Sequence, residues 1–134
     1  MTTVTDAIEI ANSILPGTAA PDGELDPRWQ AIIEVAGFIP AEPDAVWHFA
    51  SRWGTHEDPD LQAAIATCVL EHVLEHHFSA YWPRVEQLAR ESPRFAETAL
   101  MCWKFGQSSE PQNAEAMDAL QRELRGYDMN DLEV

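Results

Sequence analysis

Asp26-Pro27-Arg28-Trp29-Gln30-Ala31-Ile32-Ile33 comes back twice further along the chain. Asp58-Pro59-Asp60-Leu61-Gln62-Ala63-Ala64-Ile65 follows at an offset of 32 residues, and Ser92-Pro93-Arg94-Phe95-Ala96-Glu97-Thr98-Ala99 after a further 34. Each copy opens on Asp or Ser followed by Pro. The side-chain oxygen of such a residue caps orphan N–H groups at a helix start, and proline suits the first helical position because it has no N–H to leave unpaired. Trp29, Leu61 and Phe95 then share one column, Ile33, Ile65 and Ala99 a second, and Ala36, Cys68 and Cys102 a third. That spacing places all three columns on one face of a helix.

Outward from these starts, a second helix is expected in each copy, opening near Pro43, Pro83 and Pro111. Its core residues are Val46, Phe49, Ala50 and Trp53 in the first copy, Val85, Leu88 and Ala89 in the second, and Met117, Leu120 and Leu124 in the third. Short polar loops, such as Gly54-Thr55-His56-Glu57 and Gln107-Ser108-Ser109-Glu110, connect the helices. The expected map is one all-α domain over residues 1–134. It has an N-terminal helix (5–15), a linker rich in Pro, Gly and Ala (16–25), three units (26–54, 58–91 and 92–125) and a frayed acidic tail (126–134).

Two-helix units at this interval resemble HEAT-like repeats, over residues 26–125. The resemblance implies a short right-handed α-solenoid of about three helical hairpins, with the N-terminal helix added to it. The Asp/Val and Arg/Lys residues common in the second helix of such repeats are missing, which leaves armadillo-like or irregular hairpin packing open. The competing reading is a compact bundle whose three Pro-capped helices match by chance.

Composition narrows the function classes. The 134 residues carry a formal net charge of −15, and 46% of them are hydrophobic. That is enough apolar material for a core without staples, and too much for a charged disordered tail. The acid excess counts against sequence-independent nucleic-acid binding and against docking on anionic lipid, both of which need Lys and Arg. No stretch is apolar enough to span a bilayer, and residues 1–6 do not read as a signal peptide. The expected location is cytoplasmic, with Cys68 and Cys102 reduced and packed in the core.

The sharpest local motif is Glu71-His72-Val73-Leu74-Glu75-His76-His77. His72-x-x-Glu75-His76 matches the inverted zinc-protease pattern, in which two imidazoles at i and i+4 hold a metal and the glutamate is the general base. Proteases of that kind take a further carboxylate from a helix well downstream. Here the remaining chain is already used by the third unit, and His72 projects onto the core stripe. Packing is the expected role of these residues, with His72 and His76 kept only as weak metal candidates. No cofactor is expected, and no nucleophile, phosphate or dinucleotide motif makes a case for an enzyme.

What remains is the charge. Residues 1–60 hold eleven acids against Arg28 and Arg52, a net of −9; residues 61–134 have a net of −6. Helix starts account for some of the acids, since a carboxylate complements the dipole there. The surplus favours fast association with a basic partner. A small acidic helical-repeat protein is similar to bacterial immunity proteins, which neutralise a toxic domain that is often a basic nuclease. The expected partner-binding residues are Glu42, Asp44, Glu57, Asp58 and Asp60, with Trp47 as anchor and with Trp82 and Glu86 nearby. The alternative is a general adaptor whose groove takes a peptide or helix, and a zinc-dependent hydrolase at His72, Glu75 and His76 is the remote third reading.

Overall fold

The three Asp/Ser-Pro helix starts read from the sequence, at Pro27, Pro59 and Pro93, are where the chain places them. In the computed structural model the described residues are 2–133, with side chains described as far as Arg125. About three quarters of the chain is helical, and no strand occurs among the described residues. The helices are α1 (Val4–Ile14), α2 (Pro27–Ala36), α3 (Pro43–Trp53), α4 (Pro59–Ile65), α5 (Glu71–Glu91), α6 (Pro93–Leu100) and α7 (Pro111–Glu133). A π-helical segment (Ala66–Leu70) joins α4 to α5, and a 3-10 turn (Gly106–Ser109) precedes α7.

The three Asp/Ser-Pro starts cap as expected. Asp26 accepts from the Arg28 N–H at 2.9 Å, Asp58 from the Asp60 N–H at 3.0 Å, and Ser92 from the Phe95 N–H at 3.1 Å. Thr3 and Asp6 form a reciprocal capping box on α1. Each such cap contributes about 1 kcal/mol.

The packing order follows the chain. α2, α4 and α6 touch in succession, and α1, α3, α5 and α7 do the same. Val46, Phe49, Ala50 and Trp53 of α3, Leu61 and Ile65 of α4, Val85 and Ala89 of α5, Phe95 of α6, and Met117 and Leu120 of α7 meet in one continuous core. Polar ties cross between units, two of them between neighbours and one from the third to the first. Asp60 binds Arg28 and Trp29 on α2, while Gln62 donates to the Glu97 carboxylate (3.0 Å) and the Arg94 carbonyl (3.3 Å) at α6. Thr98, fully buried, donates to the Gly54 carbonyl at 2.6 Å.

Four expectations need correction. First, the core stripe of α2 is rotated by one residue. Arg28, Ala31, Ile32 and Val35 face inward, while Ile33 is 46% exposed and Trp29 and Ala36 are half-buried. The cause is Arg28, whose guanidinium is drawn in among carboxylates. Second, no helix starts at Pro83. Unit two runs from α4 through the π segment into α5, and the break falls at His77 (φ −139°, ψ 45°), with Pro83 inside the helix. Proline removes the donor that would meet the Ser79 carbonyl, and Ser79 is exposed, so water can serve instead.

Third, the Gln107–Glu110 loop is a 3-10 turn with a structural task. Gln107 donates to the His76 carbonyl at 2.8 Å and accepts from the Phe78 N–H at 2.9 Å, satisfying both backbone ends that the break exposes. Gly106 (φ 50°) lies so close to Glu75 that a Cβ there would stand 2.7 Å from its Cγ. Fourth, the expected tail at 126–134 continues α7 as far as Glu133; Val134 and the tail's side chains lie outside the described residues.

The linker between α1 and α2 is tied down at both ends. The Pro16 carbonyl accepts from Arg28 at 3.1 Å, and the Ala20 N–H donates to Asp26 at 3.2 Å.

Candidate functional site

Two places concentrate polar chemistry. The first lies where α2 and α4 begin. The Arg28 side chain is only 3% exposed and reaches Asp26, Asp58 (3.2 Å), Asp60 and the Pro16 carbonyl. Trp29 Nε1 donates to Asp60 at 3.1 Å. Burial pushes the Asp26 carboxyl upward, but hydrogen bonds from the Arg28 side chain and from the Arg28 and Ala20 backbones outweigh it and hold the group below its ordinary range. Two of the acids expected to meet a partner, Asp58 and Asp60, thus already serve an internal cation.

Asp44 is committed as well. It accepts from the Tyr81 hydroxyl and from Arg84 (3.2 Å), bridging the start of α3 to α5. Burial first, then the Asp44 carboxylate, raise the Tyr81 phenol to about 12. Trp47, expected at an edge, is 6% exposed. Its ring packs edge-on against Phe95 at 6.0 Å and near Tyr81 at 6.2 Å, so it belongs to the core. Trp82 is half-buried and stacked on Phe78 at 5.3 Å, and Glu86 pairs with Arg90 at 3.5 Å. Glu42 and Glu57 are exposed, and neither has a hydrogen-bond or ion-pair partner for its side chain among the described residues. The structure therefore brings Asp58 and Asp60 together at Arg28 and ties Asp44 to α5. No hydrogen bond or ion pair among the described residues joins the two groups.

The second place is a surface groove of about 470 Å³ between the end of α2 and the π segment with α5. Its lining includes Ile33, Ala36 and Pro40 on one side and Cys68, His72 and His76 on the other. Glu75 Oε1 lies 2.8 Å from His72 Nδ1 and 3.5 Å from His76 Nε2. His72, expected in the core, is half-exposed and stacks on Phe105 (centroids 6.3 Å, planes 14° apart). Its departure from the core stripe follows from the π segment, which adds a residue to the turn and shifts everything after it around the helix axis. Among the described residues no group of three His, Cys, Asp or Glu side chains could hold a metal ion. Glu75 is hydrogen-bonded to an imidazole where the protease pattern would need it to poise a water.

Cys68, also expected in the core, is half-buried at this groove; Cys102 is buried, and the two are free thiols. Burial raises both thiols, and inert packing suits them better than nucleophilic chemistry. Beside the groove Glu71 is buried, accepts from the Trp103 N–H at 2.9 Å, and is raised by that burial. This bond fixes an extended segment on which Trp103 is 72% and Phe105 44% exposed.

Sequence reasoning missed Arg28, Gln107, Ile33, Trp103 and Phe105. Arg28 did carry a signal, because Arg28, Asp60 and Arg94 occupy one column of the repeat with alternating charge. Among the described residues no helix is long and apolar enough to cross a membrane. Comparison with protein-family models, curated proteins and solved structures finds no match to this chain.

Proposed function

We propose that this chain is an acidic protein-binding module that captures a basic protein, built as a short HEAT-like α-solenoid. The successive contacts α2–α4–α6 and α1–α3–α5–α7 support the architecture, since stacked helical hairpins meet in this order, with the Thr98–Gly54 bond and the Trp47–Phe95 contact also joining the third unit to the first. The observation that carries the function is the fate of the cations. Of the eight Lys and Arg, six (Arg28, Arg84, Arg90, Arg94, Lys104 and Arg122) are each paired to a carboxylate of the same chain, and Arg52 lies over the Trp53 ring at 4.6 Å. Exposed Glu42 and Glu57, among other acids, face solvent with little positive charge beside them. Such a surface steers a basic partner in and repels acidic ones. Neutralising a basic toxin domain, as an immunity protein does, suits it.

The test is co-purification and titration with the basic product of a neighbouring gene. A complex should form whose affinity falls with salt and drops on the order of tenfold when Glu42 and Glu57 are both reversed to Lys. Binding that ignores both salt and charge reversal would refute the reading.

A further inference from the structure

The groove between α2 and α5 deepens this reading, and the role assigned to it rests on the capture of a basic protein. Three observations converge there. Ile33 is 46% exposed in the groove lining, and Phe105, stacked on the lining residue His72, is 44% exposed. Large apolar side chains left in water at a groove mark an interaction site more often than a random surface does. Two departures from regular α geometry border the same place. The π segment contributes Thr67 and Cys68, and the break at His77 directly follows His76. π segments commonly sit at functional sites.

The third observation is charge. No Lys or Arg lines the groove. Glu75 holds its histidine side, Glu34 is exposed next to Ile33, and exposed Glu42 follows Pro40 by two residues. The groove thus has an apolar floor, acids around it and no cation. Among the described residues the chain also has no strand edge with which an extended peptide could pair.

We propose that this groove receives one face of a basic amphipathic helix of the partner protein. Apolar side chains of that helix seat on Ile33, Ala36, Pro40 and Phe105, and its Lys or Arg side chains meet Glu34, Glu42 and Glu75. This is helix-in-groove recognition, with apolar anchors supplying contact area and charge setting orientation. It moves the contact away from Asp44, Asp58 and Asp60, which are tied to Arg or Tyr side chains, to acids at the groove, where Glu75 meets only the imidazoles of His72 and His76.

The probe is a synthetic amphipathic helix of Leu and Lys, with a Leu/Glu peptide of the same pattern as control. Titration into the isotope-labelled chain should shift the amides of residues 33–40, 67–76 and 105 at one peptide per chain. Ile33→Asp, and separately the pair Glu34→Lys with Glu75→Gln, should each weaken binding about tenfold or more. Ile33 and Glu34 point to solvent, so circular dichroism should show both variants folded. If Ile33→Asp loses helicity, the charge pair alone decides. Shifts centred elsewhere, binding untouched by the variants, or equal binding of the Leu/Glu peptide would overturn the groove. No peptide binding at all would overturn it too. In each of these cases the salt dependence of the partner titration, and its response to Glu57→Lys alone, still decides the broader reading independently.

Discussion

Replacing Arg28 with Met keeps an unbranched apolar stem and removes the guanidinium and its charge. In the folded protein the guanidinium stands among Asp26, Asp58 and Asp60, and also holds the Pro16 carbonyl. Removing one partner of a buried charge group costs about 3–5 kcal/mol, because the others are left uncompensated. The Asp58 and Asp60 side chains are 32% and 44% exposed, so water relieves part of the repulsion and the lower end, about 3 kcal/mol, applies. An unfolding entropy of about 2.1 cal/mol/K per residue over 134 residues converts this into a Tm drop of about 11 °C.

The pH dependence sharpens that test. The Asp26 carboxyl is held below its ordinary value of 3.8, so its stabilisation is present at neutral pH and lost as pH falls through the lowered folded value. Without Arg28 the Asp26 carboxylate loses its cation, and protonation relieves it. The deficit of Arg28→Met against the parent should therefore be large at neutral pH and shrink toward about pH 3. Thermal melts followed by far-UV circular dichroism at both pH values measure it. A neutral-pH drop of less than about 3 °C (roughly 1 kcal/mol), or a deficit independent of pH, would refute the account of the cluster.

Gln107→Ala should cost about 1–2 kcal/mol by orphaning the His76 carbonyl and the Phe78 N–H, and hydrogen exchange should quicken at Phe78 more than at Val85. Thr98→Val, isosteric and fully buried, should cost about 1–2 kcal/mol in urea unfolding because the Gly54 carbonyl loses its donor; a neutral result would mean water replaces the hydroxyl. Ultraviolet titration should show one of the two tyrosines ionising near 12, and Asp44→Asn should lower that value. Because the folded value lies above the ordinary 10.0, the Tyr81 contribution is whole below pH 10 and disappears as pH rises toward 12.

The sequence displayed those features whose cause is local. Asp26, Asp58 and Ser92 cap because each precedes a proline and carries an oxygen at the right reach, and both properties can be read from adjacent letters. Periodicity likewise gave the inward faces of α3, α4 and α6. Features set by a distant residue escaped. α2 turns by one position because Arg28 needs carboxylates on α4, some thirty residues away. The break at His77 is stable because Gln107 supplies both missing partners, and nothing near His77 announces that. Pro83 misled for the same reason, since a proline is tolerated wherever its orphaned carbonyl reaches water. At the candidate sites, acid positions were legible but their engagement was not. Asp44, Asp58 and Asp60 look as free in the sequence as Glu42 and Glu57. Trp103 and Phe105 lie on an extended segment, where no helical period could flag them.

The polar ties between units have a common reach. Asp60 is 32 residues from Arg28, Glu97 is 35 from Gln62, Trp103 is 32 from Glu71, Gln107 is 29 from Phe78, and Glu123 is 33 from Arg90. The farthest side-chain hydrogen bond among the described residues, Thr98 to Gly54, spans 44. Closing a loop costs free energy that grows only with the logarithm of its length, so each successive closure meets nearly the same entropic barrier. No single contact has to wait for both termini. A chain emerging from a ribosome could complete one unit as soon as the next is out, and rapid folding with little exposed intermediate surface follows from that economy of distance. Shortening the chain from its C-terminal end should then peel away contacts in order, beginning with the α7 bond to Arg90 and leaving the Arg28 cluster until late.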